Sequence, residues 1–159
     1  MLKNYAALTS SMLQRGAGFS NPTQVFPERI GMDDSALAVM TDFERISAVL
    51  IRPNDTLDEA NQRMIQRGVR LLLVVDAQRT VAGIITANDI LGEKPMQIIT
   101  ERGGRRQDIV VRDLMTPQDR LEVLNLRDVQ HARVGQIVAT LKESARQHAL
   151  VVDHDGDGR

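Results

Sequence analysis

Leu73-Val74-Val75-Asp76 returns as Leu150-Val151-Val152-Asp153, 77 residues later, and Ala38-Val39-Met40-Thr41 is echoed by Asp113-Leu114-Met115-Thr116, 75 residues later. Between these words runs an apolar stripe at helical spacing. It is Leu57, Ala60, Met64 and Ile65 in the first half, and Val134, Ile137, Val138, Leu141 and Ala145 in the second. Near-equal offsets across three separate elements mark a tandem duplication. A duplicated unit of this size buries its apolar face against its twin or against another chain.

The first half reads as strand, helix, strand, strand, helix. Ile46–Ile51 is a short apolar strand stopped by Pro53, and Thr56-Leu57-Asp58-Glu59 has the form of a capping box opening a helix that Gly68 closes. Leu71–Val75 is a continuous apolar run of strand length. Asp76–Thr80 is a polar turn, Val81–Thr86 a second strand, and Thr86–Leu91 the start of another helix. Residues 1–32, punctuated by Gly16, Gly18, Pro22, Pro27 and Gly31, form an irregular N-terminal segment with one short helix expected near Tyr5–Leu13. Residues 33–92 make the first copy, 93–108 a polar connecting loop containing Gly103-Gly104-Arg105-Arg106, and 109–159 the second copy. Nothing after Asp153 matches Val81–Leu91, so the second copy is incomplete at its C-terminus. The uncovered edge predicts that the natural protein continues for roughly one more strand and helix, or that a partner chain supplies them.

Composition narrows the function. Aromatic residues are 3% of the chain, too few for the stacking platforms that hold single-stranded nucleic acid. The net charge of −1 supplies no overall drive toward nucleic acid or anionic membranes. With no Cys there is no disulfide frame, thiolate nucleophile or cysteine zinc site. No apolar run approaches the ~18 residues of a membrane helix, and the N-terminus lacks a signal-type apolar core, so a cytoplasmic protein without membrane or nucleic-acid partners is expected.

Four motifs carry alternative readings. Thr86-Ala87-Asn88-Asp89 follows a strand and opens a helix, which makes it a cap; the same geometry favours a phosphate. Asp153-x-Asp155-x-Asp157-Gly158 matches the first six positions of a calcium loop, and also an acidic turn equivalent to Asp76–Thr80. Gly103-Gly104-Arg105-Arg106 is either solvated loop or a lining for phosphate. His131, His148 and His154 are too scattered to form a metal set by spacing. The sequence shows no nucleophile–base arrangement, P-loop or HExxH, so neither a catalytic residue nor a metal site is assigned.

Taken in order and spacing, these words resemble the CBS domain, present in tandem as a Bateman module. The first copy carries AVMT at 38–41, IRPNDTLDEANQRMIQRGV at 51–69, LLLVVD at 71–76 and VAGIITANDIL at 81–91; the second carries DLMT at 113–116 and VGQIVATLKESARQHALVVD at 134–153. Leu73 stands where the family usually has Pro, and the second copy lacks the closing Gly-apolar-apolar-Thr/Ser-x-x-Asp motif. The resemblance implies an α/β (α+β) fold of two β-α-β-β-α units packed sheet to sheet, and a regulatory protein rather than an enzyme. It also implies an adenosine-containing ligand (AMP, ADP, ATP or S-adenosylmethionine) in the cleft between copies, assembly as a homodimer, and a regulated protein partner. Carried over to this chain, the ribose and phosphate positions are Thr86 and Asp89. The adenine slot falls near Ile51, Arg52, Val69 and Arg70, with contributions from Arg146 and Gln147 of the second copy. The alternative implied function is a ligand-free dimerisation scaffold.

Overall fold

The computed structural model describes residues 5–19 and 29–154. Within them the strands are β1 (Ser11–Met12), β2 (Leu50–Ile51), β3 (Leu71–Val75), β4 (Val81–Thr86), β5 (Thr116–Pro117), β6 (Glu122–Asn125) and β7 (Leu150–Val152). The α-helices are α1 (Leu57–Arg67), α2 (Ala87–Leu91), α3 (Lys94–Arg102), α4 (Val111–Leu114), α5 (Leu126–His131) and α6 (Val134–Glu143). Together they make a mixed α+β fold with two sheets. Contacts divide it into two compact units: one holds Arg15–Gly18 and Ala48–Leu121, the other the described residues within 1–14, 19–47 and 122–159.

The first unit is built on a four-stranded sheet in the order β2-β3-β4-β5. β2 and β3 run parallel, because α1 connects them and returns the chain to the same end of the sheet. α1 forms where the sequence predicts it. Glu59 N donates to Thr56 Oγ1 at 3.2 Å, and Thr56 N donates to Glu59 Oε2 at 2.7 Å, closing the capping box. Gly68 ends the helix in the left-handed region (φ 64°), which a side chain would strain. The face bearing Leu57, Ala60 and Met64 is buried against Leu72, Val74 and Ile85 of the sheet, with Ile90 of α2 and Val111 and Leu114 of α4. Each such fully buried aliphatic side chain contributes about 1.5–3 kcal/mol. β3 and β4 occupy the residues expected of them, and both are buried through the middle because helices cover the sheet.

The second unit has a three-stranded sheet, β1-β6-β7. β6 and β7 are parallel, with Val123 beside Leu150 and Leu124 beside Val151, as Leu50 lies beside Leu73 and Ile51 beside Val74 in the first unit. The duplication therefore extends to strand register. α6 bears the predicted stripe from Val134 to Leu141, but Ala145 lies beyond its end with φ 51°. Ala36, Leu124, Val129 and Ala132 form the core, with Leu8, Met40, Ile137, Ala149 and Val151 packed on it.

Several expectations change. Tyr5–Leu13 is not helical: Ser11 and Met12 pair antiparallel with Val123 and Glu122 of β6, and Leu8 N donates to Thr140 Oγ1 at 2.8 Å. Residues 93–108, read as a loop, contain α3 across Lys94–Arg102, with Pro95 in its first turn and Gly103 at its end. The strand expected over Ile46–Ile51 shortens to Leu50–Ile51. β6 had no counterpart in the sequence reading. Asp155, Asp157 and Gly158 of the acidic motif lie outside the described residues.

Candidate functional site

β4 ends at Thr86 and α2 begins at the next residue, so the Thr86–Asp89 motif stands at a strand-to-helix corner. Asp89 N donates to Thr86 Oγ1 at 3.3 Å. Asp89 Oδ2 accepts from Thr86 N and from Thr86 Oγ1, both at 2.8 Å. This is a reciprocal cap, as one of the two sequence readings required. Asp89 Oδ1 faces the other way and is ion-paired with Lys94 Nζ on α3. Asp89 is 7% exposed, whereas the Lys94 side chain is 50% exposed. A nearly buried carboxylate is tolerated here because both oxygens have donors.

Val69 and Arg70 adjoin this corner. Leu71 is the register partner of Thr86, and Ala87 N donates to the carbonyl oxygen of Arg70 at 2.9 Å. Val69 packs on the core, while the Arg70 side chain is exposed. Arg106 donates to the carbonyl oxygen of Ile90 at 3.0 Å, tying down the other end of α2. With Ala87 N and Asp89 N already bonded, and only five residues in the helix, α2 does not offer phosphate an open N-terminus.

Within the same unit, Ile51 and Arg52 are not gathered there. Ile51 pairs with Val74 on the far side of β3, two strands from Thr86 and three residues further along, on the order of 14 Å away. Its side chain is 1% exposed and lies in the core. Arg52 is exposed, and its backbone N donates to Asp55 Oδ2 at 3.1 Å. Arg146 belongs to the second unit, where it borders a cavity of about 230 Å³ with Leu8, Thr140 and Ala149, and its guanidinium lies 3.6 Å from Glu122 Oε2. Gln147 beside it is exposed.

Sequence reading missed Lys94, because its segment was assigned to a loop. Pro95, together with Ile98 and Ile99, was the available helix signal. Glu122 was missed with β6. Among the described residues no group of three or more His, Cys, Asp and Glu side chains is placed to hold a metal ion. No helix among them is long and apolar enough to cross a membrane.

A family profile described as the CBS domain matches residues 33–95, the segment that carries α1, β3, β4 and the Thr86–Asp89 corner. That segment of the chain is similar to a CBS domain. Solved structures with the same fold include an uncharacterised conserved protein of Pyrococcus horikoshii, 22% identical, covering 82% of this chain and 84% of that one with a TM-score of 0.56. A protein with CBS domains from Burkholderia ambifaria is 25% identical over 76% of this chain and 78% of that one, with a TM-score of 0.54. A CBS-domain protein of Agrobacterium tumefaciens is 18% identical over 67% and 76%, with a TM-score of 0.52. No curated protein matches. The CBS profile ends one residue beyond Lys94, so the Asp89–Lys94 ion pair closes the C-terminal end of the first copy.

Proposed function

We propose that this protein is a regulatory sensor that binds an adenosine-containing ligand, AMP, ADP, ATP or S-adenosylmethionine, and acts by binding rather than by turnover. The observation that carries the reading is the Asp89 carboxylate. Oδ2 is fixed by the cap, while Oδ1 is held only by a half-exposed lysine that a ligand can displace. A carboxylate so oriented accepts hydrogen bonds from ribose hydroxyls, with Thr86, Val69 and Arg70 at the same corner. Signalling then requires that the ligand bind two arrangements of the protein with different affinity. The output is a change in self-association as a homodimer or in contact with a regulated protein.

Thermal-shift measurement on the full chain tests this. A ligand at ~100 times its Kd stabilises by about 2.7 kcal/mol, roughly 5–11 °C for a protein of this size. Silence from all four ligands supports a second reading, a dimerisation scaffold without ligand. That reading is favoured by the self-satisfied state of the corner, in which every Asp89 oxygen already has a partner. Asp89→Ala separates the roles further. Loss of a ribose contact weakens binding by about 1.5–3 kcal/mol. Loss of a cap alone costs about 1 kcal/mol of stability and leaves affinity unchanged.

A further inference from the structure

We propose that Lys94 selects the ligand class at this corner, favouring adenosine compounds that carry a phosphate over uncharged nucleosides and over sulfonium cations; the proposal rests on the adenosyl-binding reading above. Asp89 has one oxygen committed to Thr86 and one paired with the Lys94 ammonium. Ribose hydroxyls that engage Asp89 Oδ1 compete there with that ammonium. Lys94 is thus a built-in competitor for the site, anchored on α3 five residues after its partner.

What the ligand brings decides the cost of displacement. The lysine head sits on a flexible four-carbon stem and stays near the corner after it leaves Asp89. Arg106 is engaged with the Ile90 carbonyl, and the exposed Arg70 adds a second positive charge beside Thr86. A ligand bearing a phosphate gives the displaced ammonium a new anion, so one ion pair is exchanged for another. A nucleoside breaks the pair and returns nothing. A sulfonium ligand sets a further positive charge against Lys94 and Arg70, which is unfavourable.

The test is titration calorimetry of AMP, adenosine and S-adenosylmethionine against the full chain, wild type and Lys94→Ala. Wild type should bind AMP roughly tenfold or more tighter than adenosine. Lys94→Ala should leave AMP close to wild type, because one ion pair is exchanged for another there, and tighten adenosine by about two- to fivefold, the scale of a partly exposed ion pair, so the ratio shrinks by that factor. Lys94 is half exposed, so the variant should remain folded, which its melting curve checks. Asp89→Asn, which keeps an oxygen acceptor for the cap, isolates the underlying reading. If Asp89→Asn abolishes binding but Lys94→Ala leaves the AMP-to-adenosine ratio unmoved, the Lys94 proposal is overturned and the adenosyl site stands. A wild-type preference for adenosine or S-adenosylmethionine over AMP also overturns it. If no ligand binds wild type, or binding ignores Asp89→Asn, the site reading falls and this proposal falls with it.

Discussion

Gly83 lies in the middle of β4, three residues before Thr86, and its substitution by alanine should detach β5. A Cβ built at Gly83 would collide with the carbonyl oxygen of Thr116 and stand 3.2 Å from Cα of Pro117. Ordinary carbon contacts need about 3.5 Å, so the β5 backbone would have to retreat by roughly 1 Å. It has little to hold it while doing so, since β5 pairs with β4 through two residue pairs, Gly83 with Pro117 and Ile84 with Thr116. Backbone cannot swing aside as a long side chain can. The expected cost is about 2 kcal/mol, within the usual range for overpacking, and it corresponds to a fall of ~4–8 °C in Tm. Urea unfolding followed by circular dichroism measures it. Gly31→Ala is the control, because there a Cβ meets Asp34 Oδ2 at an ordinary 3.6 Å. If Gly83→Ala unfolds at the same urea concentration as Gly31→Ala, the close β4–β5 approach does not exist as described and the reasoning fails.

Gly135→Ala poses the same question with the opposite answer. Its Cβ would meet the Tyr5 ring at 2.5–2.7 Å, but a ring can swing away, so stability should fall by less than about 1 kcal/mol. Tyr5 is the sole tyrosine in a chain without tryptophan, so its fluorescence should report the displacement directly. Glu59 governs an acid-sensitive step. The backbone hydrogen bond from Thr56, then the Thr56 hydroxyl and Arg63, hold its carboxyl below its ordinary value of 4.5. A depressed folded-state pKa means that this stabilisation is complete above about pH 4.5 and is lost as the pH falls through the folded-state value. Glu59→Gln should therefore differ from wild type in urea midpoint at pH 6 and converge with it on acidification.

Sequence reading succeeded where the signal is local. Thr56, Glu59 and Gly68 mark both ends of α1 within a short stretch of chain, and the runs 71–75 and 81–86 are bounded by polar turns. It failed where an element exists only because of a distant partner. β1 is two residues long and extended because it pairs with β6, more than a hundred residues away in sequence. β6 itself is four residues, Glu122–Asn125, with no flanking glycine or proline to announce it. The site was legible in the same uneven way. The Thr86–Asp89 corner could be found from its spacing, but the burial of Ile51 and the hold of Lys94 on Asp89 depend on sheet order and on α3.

The two units are each assembled from separated pieces of chain, and this has a practical consequence for dissecting the protein. The core of the first unit needs Val111 and Leu114, which precede the second copy's strands, while the core of the second needs Ala36 and Met40, which precede the first copy's strands. Cutting between the repeats would strip both halves of side chains their interiors require. A protease nick in 103–108 should leave the fragments associated until denaturant is added. Separately expressed halves should be aggregation-prone, because each exposes the apolar faces of an incomplete core.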